Sequence, residues 1–143
     1  MLHQSPPVFS KKSILINAPS TLIWPLITEI EKWPDRFNHV ASAKIDGTFT
    51  VGKSFVWKSG GVKIVSTIKE IKEGTFILWT GKAFGTQAAH SWTLKQHDNG
   101  TLMETSESFD GWLVRLMPKM MQKMLDQTLT EWVDTIKRLA ESK

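Results

Sequence analysis

The chain has 143 residues, with 41% hydrophobic and 22% charged, a formal net charge of +4, seven Trp, seven Phe, and neither Tyr nor Cys. That length and balance point to a single domain over residues 1–143 and exclude a disordered or collagen-like polymer. The missing cysteines exclude a disulfide scaffold, a thiolate nucleophile and any thiolate-held zinc or iron–sulfur site.

Residues 1–7 carry Gln4, Ser5, Pro6 and Pro7 in place of the apolar core of a secretory signal. They read as a flexible N-terminus, which fits a cytoplasmic protein. An ordered stretch follows from Val8 to Asn17, and its later part, Ser13–Asn17, is short, apolar and β-branched, the signature of a strand. Pro19 suits the first position of a helix, and Leu22, Ile23, Leu26, Ile27 and Ile30 recur at three and four on one helical face. Pro25 predicts a kink in that helix. A second short helix or turn is expected to end near Trp33-Pro34, because the residue before proline avoids helical geometry. Period-two alternation then predicts strands at Val40–Ile45, Ser54–Lys58, Val62–Ile71, Thr75–Gly81, Ala88–Gln96 and Thr101–Phe109. The breaks between them carry Gly47, Gly60-Gly61, Gly74 and Gly100, each expected to supply a positive φ, and such short links make neighbours antiparallel. From Trp112 to Leu139 apolar residues repeat at three and four, with Pro118 marking a break before one long helix. The lysines are scattered, or, near the C-terminus, lie on a solvated helix face. They form no basic stripe interleaved with aromatics, so no nucleic-acid partner is expected. No apolar run approaches the roughly 20 residues that span a bilayer, so no stable membrane insertion is expected either.

The turn His97–Gly100 allows two registers. A two-residue Asn99-Gly100 turn sets Asp98 against Thr101 and Trp92 opposite Glu107; a longer loop sets Gln96 against Thr101 and His90 opposite Glu107. In both, His90, Trp92, Leu94, Met103, Thr105, Glu107 and Phe109 share one face. That face is larger and more apolar than the one carrying Ser91, Thr93, Lys95, Glu104 and Ser106, so it should face the long helix. A His and a Glu among apolar side chains need an explanation, since an unpaired buried charge is costly. A mutual His90–Glu107 contact, water in a cavity, or a ligand that uses both would each supply one.

The order strand, short helices, strands, long helix resembles the START-like helix-grip superfamily, which includes polyketide cyclases and plant Bet v 1-type proteins. More narrowly, the chain is similar to the bacterial polyketide cyclase/dehydrase-type branch. The residues that carry this are Ile16-Asn17-Ala18-Pro19 through Trp24 and Trp33-Pro34, then Ala89-His90-Ser91-Trp92-Thr93-Leu94, Gly100-Thr101, and Glu107-Ser108-Phe109-Asp110-Gly111 leading into the last helix. The resemblance implies an α+β fold: a curved antiparallel sheet of about seven strands wrapped around a long C-terminal helix, with two short helices after strand one. It also implies a cavity between sheet and helix that binds a small hydrophobic, ring-containing or lipid-like molecule. Carried onto this chain, it makes His90, Trp92 and Glu107 cavity residues, joined by Trp57 and Trp79 and by Met103, Thr105 and Phe109 of the same inward face. Met117, Met120, Met121 and Met124 would form the helical wall, although a stripe of this kind also serves as plain core.

Other chemistries find little support. His3, His39, His90 and His97 do not make a metal site, and no cofactor fingerprint is present. There is no Gly-x-Ser-x-Gly elbow, and Ser91 and Ser106 belong to the outward face. Acid–base work by His90 and Glu107, as in a polyketide cyclase or dehydratase, is the catalytic alternative. His39, read as solvent-exposed near the cavity mouth, is a weaker third candidate. A co-chaperone-like interaction module is the second alternative, with Trp112 or Trp33 as exposed anchors. Either a monomer or a homodimer is compatible with the sequence.

Overall fold

In a computed structural model, which describes residues 6–142, period-two alternation produces β1 (Val8–Ile16), β2 (Val40–Ile45), β3 (Ser54–Ser59), β4 (Val62–Lys72), β5 (Phe76–Ala83), β6 (Thr86–His97) and β7 (Gly100–Asp110). Residues 1–5 of the expected flexible N-terminus lie outside this range. The strands form one antiparallel sheet in the order β1-β7-β6-β5-β4-β3-β2. Consecutive strands from β2 to β7 are neighbours, and β1 closes the far edge against β7. The chain crosses from β1 to β2 through α1 (Ser20–Thr28), a 3-10 turn (Ile30–Lys32) and α2 (Trp33–Arg36). After β7 come α3 (Trp112–Leu116) and α4 (Pro118–Glu141). This is the helix-grip arrangement that the sequence implies.

The three-and-four spacing in α4 buries Leu125, Leu129, Trp132, Val133, Ile136 and Ala140 against the sheet. Its ends are fastened to the edge strand. The Gln122 amide takes both backbone groups of Phe9, accepting from Phe9 N at 3.2 Å and donating to Phe9 O at 2.7 Å, as a neighbouring strand would. Near the C-terminus, Lys137 donates to Leu15 O and Glu141 accepts from Asn17 N.

Three local expectations are revised. The 3-10 turn Ile30–Lys32 ends at Trp33 as expected, but Trp33-Pro34 at once opens α2: Trp33 has φ −54° and ψ −44°, with Pro34 in the first turn. The burial of the Trp33 ring outweighs the steric preference of a residue before proline. Pro19 caps α1 rather than beginning it, and α1 runs three residues past Pro25 without a break. At the β6–β7 turn, Gln96 pairs with Thr101 and His90 with Glu107, which selects the second register. The positive φ there belongs to Asp98, at +52°. Gly100 serves another purpose, since a Cβ on it would lie 2.3 Å from Ile16 O.

Gly111, between β7 and α3, is constrained twice. Its φ is +123°, and a Cβ would stand 2.3 Å from Gly85 O, the carbonyl that accepts from Leu113 N. Gly111→Ala is therefore expected to destabilise the protein by about 1–3 kcal/mol, read from urea unfolding at equilibrium. An unchanged midpoint would show that this junction is not rigid.

Candidate functional site

Side-chain size across four strands opens a cavity of about 590 Å³ between the sheet and the first half of α4. Ser66 pairs with Gly81, Gly81 with Ala88, and Ala88 with Phe109, so three small residues lie side by side on the concave face. In the next row, Trp79 pairs with His90 and His90 with Glu107. Trp57 and Trp132 complete the inner walls. The Gly60-Gly61 turn, Phe84, Met124 and Asn38 line the outer part; Phe84 and Met124 are large apolar side chains left exposed, so this end is the mouth. Among the described residues, no Lys, Arg or Asp lines the cavity.

The inner aromatic packing is dense. Trp33, wholly buried, stands behind the cavity wall with its ring centroid 5.0–5.7 Å from those of Phe55, Trp57, Trp79 and Trp132. Its indole N–H donates to Ile27 O, and that of Trp57 donates to Ser66 Oγ. The indole nitrogens of Trp92 and Trp132 are buried without a partner.

His90 and Glu107 form one polar corner. The Thr105 hydroxyl gives its only proton to Ser91 O at 2.8 Å, so its oxygen accepts from His90 Nε2, also at 2.8 Å. The tautomer follows: Nε2 carries the proton and Nδ1 keeps its lone pair. Nδ1 has no hydrogen-bond partner and lies 3.5 Å from Glu107 Oε1. Burial, reinforced by His39, lowers the His90 pKa from 6.5 to about 3. Burial raises that of Glu107 from 4.5 to about 8, although the side chain keeps 12% of its surface accessible where it lines the cavity. At neutral pH the corner is therefore an uncharged imidazole beside a carboxylic acid. Glu107 can give a proton there, whereas His90 is a poor acceptor of one.

His39 also faces this cavity, contrary to the expected solvent exposure. Its side chain is 12% exposed, packs edge-on to Trp132 with centroids 4.7 Å apart, and places Nδ1 3.1 Å from Glu131 Oε2. Burial holds its pKa below the ordinary value, partly opposed by Glu131.

Of the residues singled out from sequence, Trp57, Trp79, His90, Glu107, Phe109, Met121 and Met124 line the cavity. The others lie elsewhere. Trp92, Met103 and Thr105 are buried in the packed core, further along the strands beyond the His90–Glu107 row. Met120 is 55% exposed because its helical phase differs by one residue from that of Met121. Met117 lies at the α3–α4 junction, capping α4. The proposed anchor Trp33 is wholly buried, whereas Trp112 is 60% exposed and meets Phe84 edge-on. Sequence reasoning placed His39 near the mouth but missed its burial, and it missed Trp132 and the row Ser66, Gly81 and Ala88. A signal for that row existed, small residues at inward phase on three adjacent strands. Among the described residues, no group of three metal-ligating side chains occurs, and no helix is long and apolar enough to cross a membrane.

The family model described as polyketide cyclase / dehydrase and lipid transport matches residues 10–141. Among solved structures, a hypothetical protein from Helicobacter pylori is similar with a TM-score of 0.81 and 14% identity, covering 94% of this chain and 89% of that one. A START superfamily protein from Mycobacterium smegmatis is similar with a TM-score of 0.79 and 12% identity, covering 94% and 97%. Ara h 8.0201 is similar with a TM-score of 0.77 and 15% identity, covering 94% and 98%. At these identities the likeness is one of fold. No curated protein sequence matches.

Proposed function

We propose that this chain, which belongs to the polyketide cyclase / dehydrase and lipid transport family, binds one small, largely apolar, ring-bearing molecule between the sheet and α4. The observation that carries this reading is the cavity itself. Its volume of about 590 Å³ is in the range of small-molecule sites, its inner walls are Trp57, Trp79 and Trp132, and its mouth is rimmed by exposed apolar side chains. Aromatic walls of this kind favour flat rings through stacking and edge contacts. Acid–base chemistry draws less support, because His90 is held neutral down to about pH 3 and its Nε2 proton is committed to Thr105.

The test is a fluorescence titration with N-phenyl-1-naphthylamine, whose emission rises in apolar surroundings. Saturable binding is expected. Ala88→Trp, which puts an indole into the small-residue row, should weaken it by about tenfold or more while the protein stays folded by circular dichroism. Equal binding by the two proteins would place the dye elsewhere and overturn the reading.

A further inference from the structure

Among the described residues, Glu107 is the only acidic one that lines the cavity, and no Lys or Arg lines it. Among the described residues its carboxyl makes no hydrogen bond, and its oxygens are not among the buried, unpartnered atoms, so they remain accessible where the residue lines the lumen. His90 Nδ1, 3.5 Å away, presents a lone pair, because the ring's proton is held on Nε2 by Thr105. His39 Nε2 is a further buried nitrogen without a partner, and its Nδ1 lies 3.1 Å from Glu131 Oε2. The corner thus offers the His90 lone pair and the Glu107 carboxyl, and no Lys or Arg lies there to pair with that carboxyl once it ionises. The rings around it are indoles: Trp79 lies 5.3 Å and Trp132 6.2 Å from the His90 centroid. Indole faces attract cations.

We infer that the molecule bound in this cavity carries a protonated amine, with Glu107 as its counter-ion and the tryptophan faces around it. The inference rests on the binding reading above and names its ligand class. A carboxylate ligand would meet no Lys or Arg there, and an alcohol would form no ion pair with Glu107. Because burial keeps the Glu107 proton on up to about pH 8, ammonium binding near neutral pH must expel it. The Glu107 O–H bond breaks, its proton passes to the buffer, and the carboxylate pairs with the ligand. The titratable groups facing Glu107 are His90 on β6 and, beyond it, His39 before β2, itself paired with Glu131 of α4.

Isothermal titration calorimetry with 2-naphthylmethylamine, 2-naphthalenemethanol and 2-naphthoate, one ring system with three head groups, decides the matter. Near neutral pH the amine should bind about tenfold or more tighter than the alcohol, and the carboxylate weakest. Heats measured in buffers of different ionisation enthalpy should show close to one proton released per amine and none per alcohol. Glu107→Gln should remove both the amine preference and the proton release. Equal or tighter binding of the alcohol or the carboxylate, or amine binding without proton release, would overturn the amine assignment and leave the cavity reading standing. If none of the three binds and the naphthylamine dye does not either, both fall.

Discussion

Replacing Trp33 by alanine is expected to lower the unfolding free energy by about 3–5 kcal/mol, the usual cost of truncating a fully buried Trp. The residue has no exposed surface, and its ring meets Phe55, Trp57, Trp79 and Trp132 at 5.0–5.7 Å. The substitution would also leave Ile27 O, which accepts from the indole N–H at 3.1 Å, without that donor. Urea unfolding followed by far-ultraviolet circular dichroism measures the loss. Trp33→Phe should recover part of it, because a smaller ring still fills much of the space. A loss below about 1 kcal/mol for the alanine variant would mean that the cluster relaxes around the gap. Since Trp33 stands directly behind the cavity wall, the alanine variant should also loosen ligand binding.

The second large effect is a dependence of stability on pH. Glu107 has a pKa of about 8 in the folded chain against an ordinary 4.5. Its stabilising contribution is therefore complete below about pH 4.5, falls through the interval between, and is gone above about pH 8. His90 runs the other way: lowered from 6.5 to about 3, it contributes above about pH 6.5 and loses that contribution as the pH falls toward 3. His39, also lowered, adds to the loss on the acid side. The Glu107 and His90 contributions together are greatest between about pH 4.5 and 6.5 and fall on both sides. Glu107→Gln removes the alkaline fall. Its stability relative to the parent protein should rise from pH 5 to pH 8.5 by an amount on the order of a few kcal/mol, at about 1.4 kcal/mol per unit of pH at most. Urea midpoints of the two proteins across this range give the difference profile. Parallel profiles would show that the carboxyl is ionised and solvated in the folded protein.

Much of this fold was legible in the sequence. Val40–Ile45 coincides with β2, and the other strands from β3 to β7 differ from their expected bounds by only one or two residues at either end. The inner and outer faces of β6 and β7 could be assigned because a period of two leaves only two choices and the apolar content decides between them. Pro118 separates α3 from α4 as expected, since a residue without an N–H suits a first helical turn. The chain alone therefore determined the order of elements, the antiparallel pairing and the inward placement of His90 and Glu107. It could not determine how far along the strands the cavity reaches. His90, Trp92, Thr105 and Met103 share one inward phase, yet the cavity wall includes only the first of these. What sets the boundary is the adjacency of Ser66, Gly81 and Ala88, residues of three strands that become neighbours only once the sheet registers are fixed. Tertiary packing likewise buried His39 against Trp132 and gave Trp33 a helical backbone before proline. Local periodicity reports which way a side chain points, whereas open volume depends on the summed sizes of side chains brought together from distant segments.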